Sequence, residues 1–184
     1  PFFVLATQNP IEQEGTYPLP EAQLDRFLFH IVVDYPDVAQ EREIIRRVTS
    51  PGQADLAPVM GAEDILHLQE VVKRVPVGDH VVNLAATLAR ASRPKAPEAL
   101  PFVKEMVAWG AGPRAGIGMV AAAKAHAVLR GRFHATTGDV VAVAAPVLRH
   151  RVITTFNAEA AGVTSDDIIR MLIKEMAPKE DLGL

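Results

Sequence analysis

The sequence predicts a short α/β portion followed by a larger all-helical domain, with helix dominating overall. Three observations carry that expectation. Near the start lie two short apolar runs, Pro1-Phe2-Phe3-Val4-Leu5-Ala6 and Leu28-Phe29-His30-Ile31-Val32-Val33. They have the length and composition of strands buried in a parallel sheet. A stretch rich in Pro, Gly and Ala at residues 50–60 then breaks the chain. Beyond it, apolar residues recur at three- and four-residue spacing almost to the C-terminus. The division is therefore placed at residue 55, with 1–55 as the α/β part and 56–184 as the helical domain.

Each element has a local reason. Asp37, after Pro36, is an N-cap for a helix whose stripe is Ile44, Ile45 and Val48. Glu43 and Arg47 pair across one turn of it, and Ser50-Pro51-Gly52 stops it. Residues 63–75 and 79–92 repeat the helical period, and Arg93-Pro94-Lys95-Ala96-Pro97 is a loop. Gly112-Pro113 opens a helix that runs to Arg130 and closes at Gly131; proline at its first position has no N–H to waste. Thr136-Thr137-Gly138-Asp139 and Thr164-Ser165-Asp166-Asp167 read as capping boxes, the second opening a last helix through Met176. Pro146 interrupts the helix that follows the first box, because it cannot donate to the Ala142 carbonyl, and a kink is expected near Ala145. Trp109, in an apolar context, is expected in the core.

The composition is 49% hydrophobic and 22% charged, that of a soluble globular protein able to bury a real core. A net charge of −3 gives no bulk attraction to nucleic acid. No run of 18 apolar residues suggests a membrane span. The absence of cysteine excludes disulfides and thiolate metal sites and fits a cytoplasmic protein. His30, His67, His80, His126, His134 and His150 show no metal-ligand spacing, so no metal site is assigned. Arg149-His150-Arg151 is expected as a solvated cluster at a helix C-terminus, where cations suit the dipole.

Four strings stand out, in order: ATQNP from Ala6, EGTYPLPEAQLDRF from Glu14, GAGPRA from Gly110, and GRFHATTGDVVAVAAPVLRHRV from Gly131. Together they span most of residues 1–152, and they resemble the MoxR family of AAA+ ATPases, relatives of the magnesium chelatase ATPase subunits. That resemblance implies the later part of an AAA+ P-loop core followed by a helical lid. It places Asn9 as the sensor 1 residue, Arg26 of LDRF as the arginine finger, and Arg114 as the sensor 2 arginine. The family more often has Ser where Gly112 stands, so a hydroxyl cap is lost here. No G-x-x-x-x-G-K-[ST] phosphate loop occurs. In the family that loop and the acidic Mg²⁺ site lie upstream of residue 1. The chain is therefore expected to be part of a longer protein and inactive alone. The resemblance further implies ATP with Mg²⁺ as ligand, a homo-oligomeric ring, expected as a hexamer, and chaperone-like work on partner proteins. Von Willebrand factor A-domain proteins are the partners expected, and cofactor or metal insertion is one form of that work.

The chemistry of the three residues is compatible with these roles. Arg26 has a permanently charged planar fork suited to the oxygens of a transferring phosphoryl group; the competing reading is a surface arginine paired with Asp25 or Glu21. Asn9 follows the first expected strand, at the sheet edge where ligands collect, and its amide both donates and accepts; a turn-forming Asn before Pro10 is the competing reading. Arg114 falls in the first turn of a helix, which favours anions, so either a nucleotide phosphate or a carboxylate from another helix would compensate it. Two other functions stay open: a non-catalytic helical interaction module, and a magnesium-chelatase-like or DNA-translocating AAA+ relative, which the charge balance disfavours.

Overall fold

A computed structural model describes residues 2–8, 19–52 and 56–182. Asn9 lies outside these residues. The described part holds the helices α1 (Glu21–Leu24), α2 (Val38–Thr49), α3 (Ala62–Arg74), α4 (Asp79–Ala91) and α5 (Pro101–Met106). After strand β1 (Val107–Trp109) come α6 (Pro113–Leu129) and α7 (Thr137–Leu148). Strand β2 (Ile153–Thr154), α8 (Phe156–Ala160), α9 (Ser165–Met176) and a 3-10 turn at Lys179–Leu182 complete the order.

The helical domain has one apolar core, built where α4, α6, α7 and α9 meet; Leu88, Met119, Leu148, Ile168, Ile169 and Leu172 are its largest fully buried side chains. Helix α6 is the central member, touching α3, α4 and α7. It buries Ala115, Gly118, Met119, Ala122, Ala123 and Ala127. Small residues let the neighbouring backbones approach closely, so the helix is surrounded rather than merely seated. β1 and β2 pair antiparallel, Val107 with Thr154 and Trp109 with Ile153.

The local signals hold. Asp37 caps α2 through Ala39 N and Gln40 N, both at 2.8 Å. Glu43 meets Arg47 at 2.8 Å. Pro113 is the first residue of α6, Gly131 follows its end at φ +69°, and both Thr-Asp capping boxes form.

Four expectations are corrected. Residues 2–6 and 28–33 are not strands among the described residues, and most of their apolar side chains are exposed. A strand exists only through its ladder, and no strand stands beside either run in the described structure. The Ile44, Ile45 and Val48 stripe of α2 is likewise exposed, since no described element packs on it. Trp109 is 67% exposed: Val107 of β1 belongs to the core, but the register shift between Val107 and Trp109 leaves the indole outside it. Helix α7 passes through Pro146 to Leu148, its continuity kept by packing rather than by the lost hydrogen bond.

Candidate functional site

The start of α6 is built from the loop before it. Ser92 Oγ, fully buried, donates to Ala89 O at 2.8 Å and accepts from Ala111 N at 2.9 Å. Arg93 Nε donates to Ala111 O at 2.8 Å. A Cβ on Gly110 would lie 2.3 Å from the Ser92 carbonyl oxygen, so only glycine allows this approach. The GAGPRA string thus fixes where α6 begins and where Arg114, in its first turn, projects.

Asp25, the C-cap of α1, lies opposite. Its Oδ2 accepts from Arg114 Nη1 at 3.1 Å and its Oδ1 from Arg151 Nε at 2.9 Å. The carboxylate answers the misfit of a cation at a helix N-terminus. Burial alone would raise the Asp25 carboxyl, but the two guanidiniums outweigh it and hold it below the ordinary range. Arg26, one residue on, is exposed and makes no ion pair among the described residues. Of its two expected competing partners, Asp25 is taken by the other two arginines and, among the described residues, Glu21 makes no ion pair with it.

The Arg149-His150-Arg151 cluster is not solvated, which corrects the sequence reading. Arg151 is only 6% exposed. Its Nη2 donates to Asp25 O at 2.8 Å and Phe27 O at 2.7 Å, and its Nη1 to Val147 O. His150 Nε2 lies 3.1 Å from Phe27 O, which can only accept, so Nε2 carries the proton. Arg149 bonds His30 O at 2.7 Å and Asp166 at 2.8 Å. The carbonyls of Asp25, Phe27, Leu28 and His30 have no ladder among the described residues, and three consecutive side chains supply their donors. Leu28 fits over Gly118, where a Cβ would come within 3.1 Å of it.

Burial and the neighbouring Arg151 charge push the His150 pKa down to about 4. Its Nδ1, the atom that must take the proton, is buried without a partner. The unfolded chain, with His near 6.5, therefore binds more protons between pH 6.5 and 4, and stability falls as pH drops through that window. Unfolding free energies from urea titration should fall by at most ~1.4 kcal/mol per pH unit from this group. A His150→Gln variant should show a flatter profile there; equal slopes would contradict the assignment.

A second polar cluster lies where α6 and α7 meet. Asp139 accepts from Thr136 N at 2.8 Å, Thr136 Oγ1 at 2.9 Å, Arg132 Nη1 at 2.7 Å and His126 Nδ1 at 2.6 Å. Burial would raise this carboxyl, but its donors hold it far below the ordinary range. It is inward and saturated, a staple rather than a site. An open groove of about 720 Å³ between α3, α4 and α6 is floored by apolar side chains and rimmed by Lys73, Arg90, Arg93 and Lys124. It holds no acid, histidine or hydroxyl among its lining, so it pairs no general base with its cations. The candidate chemistry is concentrated at Arg26, Asp25 and Arg114.

Comparison with known proteins identifies the family. Residues 102–172 match the AAA lid domain, and residues 1–29 match the ATPase family associated with various cellular activities (AAA). Fold and motifs together define an AAA ATPase segment in which a helical lid follows core sequence. A crystal structure from Cytophaga hutchinsonii superposes with a TM-score of 0.87 at 36% identity, over 95% of this chain and 53% of that one. Chaperone MoxR1 of Mycobacterium tuberculosis is 43% identical over 96% of this chain and 47% of its own length. Protein MoxR of Paracoccus denitrificans is 31% identical over 81% of this chain and 47% of its own. The chain belongs to the MoxR family of AAA ATPases and spans about half the length of the curated relatives it matches. No helix among the described residues is long and apolar enough to cross a membrane.

Proposed function

We propose that residues 1–55 are the later part of an AAA core and residues 56–184 its lid with a C-terminal extension. In the complete protein they serve a MoxR-type machine that binds and hydrolyses ATP with Mg²⁺ between subunits of a ring, a hexamer. The cycle drives chaperone-like assembly or maturation of partner proteins, with von Willebrand factor A-domain proteins as the partner class. Arg114 contacts the γ-phosphate from the lid, Asn9 orients the attacking water, and Arg26 reaches the nucleotide of the neighbouring subunit.

One observation carries this reading: a single carboxylate, Asp25, ties the Arg26 segment to the first turn of the Arg114 helix. Two arginines with accessible guanidiniums are thereby fastened to one body. The Arg114 guanidinium already holds one anionic oxygen, that of Asp25, and a phosphate oxygen offers it the same charge and lone pairs. The exposed apolar residues of 2–5 and of α2 supply surface for the rest of an ATPase core.

The test is ATP turnover by the complete protein across a concentration series. Turnover that rises with self-assembly, and ATP binding weakened by Arg114→Ala, support the reading. A complete protein that neither binds nor hydrolyses ATP sinks it and leaves a helical interaction module. Salt-dependent binding to DNA would instead favour the translocating relative.

A further inference from the structure

We propose that Arg151 is a positioning residue for Arg26: its buried guanidinium makes the segment around the finger arginine part of the lid body. The inference rests on the reading of Arg26 as acting on a neighbour's nucleotide.

Arg151 is 6% exposed, and a buried guanidinium is tolerated only when its N–H groups find acceptors. The acceptors it finds bracket Arg26 along the chain. Nε and Nη2 take the Asp25 carboxylate and the Asp25 carbonyl, at 2.9 and 2.8 Å, on one side of Arg26. Nη2 takes Phe27 O at 2.7 Å, and Nη1 reaches Leu28 O at 3.4 Å, on the other. The remaining bond, to Val147 O, anchors the fork in α7. Arg151 is 126 residues from Asp25 in sequence, so these bonds tie the turn at residues 25–28 to a distant part of the chain. His150 on Phe27 O and Arg149 on His30 O extend the same capture.

A lysine could not reproduce it. One ammonium projects three donors from a single point, whereas these acceptors are spread across the plane of a fork. Arg26 is free to project only because its backbone is held on both sides, and a displacement of ~1 Å at a reacting centre can cost ~10²-fold in rate. Any movement of the lid would carry Arg26 with it.

The experiment uses the complete protein. Arg151→Gln should keep ATP binding and ring assembly and lose kcat by about 10²-fold. The loss lies in the finger it presents to its neighbour, not in its own nucleotide site. Mixed with Asn9→Ala subunits, whose finger is intact but whose own site is disabled, Arg151→Gln protein should regain turnover. Arg151→Lys, which retains the charge, should behave the same way and serves if the glutamine variant does not fold. Asp25→Asn tests the opposite side of the contact should both fail. Wild-type kcat in a folded Arg151 variant overturns the proposal, as does a loss that mixing does not relieve, because that would place the effect within the variant's own subunit. Arg26→Ala run in parallel separates the two levels: if it retains turnover, or is not relieved by the same mixing, the finger reading itself has failed.

Discussion

Replacing Arg26 by alanine is expected to reduce ATP turnover by the complete protein by about 10³–10⁵-fold, while ATP binding is retained. The size follows from where charge develops. A transferring phosphoryl group spreads negative charge over its oxygens, and a guanidinium delivered from outside the site stabilises that charge without having bound the ground state equally. The Arg26 side chain is available to do this. It is exposed, it sits beside an Asp25 already occupied by two other arginines, and its backbone is fastened to the lid. Its own N–H is spent on Gln23 O at 3.1 Å, which ends the turn and leaves the side chain to project. Arg26→Lys should recover little, since an ammonium keeps the charge but not the planar fork. Rings assembled from Arg26→Ala and Asn9→Ala subunits should hydrolyse ATP although neither parent does. Steady-state turnover near wild type in Arg26→Ala rings would remove the arginine from the reaction.

What was legible in the sequence was what is decided within a few residues. Asp37 with Gln40, Thr136 with Asp139 and Thr164 with Asp167 close across three positions, so their caps could be read from the sequence alone. Gly112-Pro113 and Gly131 mark the ends of α6 for equally local reasons. The runs at 2–6 and 28–33 have strand composition, but pairing needs a neighbour, and their described surroundings provide none. The β1–β2 ribbon failed in the other direction: strands of three and two residues are too short to show a period. Asp25 and Arg151 went unrecognised because their contact joins distant parts of the chain. One hint was present: a run of three hydrogen-bond-donating side chains after a helix, with no acid nearby in sequence, has to find its acceptors elsewhere. The motifs located Arg26 and Arg114, but not the carboxylate between their segments.

Asp139→Ala is expected to destabilise the lid by about 3 kcal/mol, and Asp167→Ala by much less. The two aspartates occupy the same position of the same capping box, so the local motif cannot separate them. Asp167 accepts from Thr164 N at 3.0 Å, Thr164 Oγ1 at 2.6 Å and Arg170 at 2.7 Å, with its side chain 39% exposed. Water replaces those bonds when the carboxylate is removed. Asp139 is 1% exposed and also joins Arg132 and His126, tying the end of α6 to the start of α7. Its removal leaves a backbone N–H and three side-chain donors, those of Thr136, Arg132 and His126, facing a cavity. The loss stays near the low end for a broken buried pair because Arg132 and His126 retain 35% and 27% exposure and can turn to solvent. Both carboxyls have lowered pKa values, so the stability each contributes is present above the unfolded value near 3.8 and lost as pH falls toward its folded one. Urea unfolding of the two variants at neutral pH decides the matter. Equal losses would mean that Asp139 acts only as a cap and that its contacts with Arg132 and His126 do not hold α6 to α7.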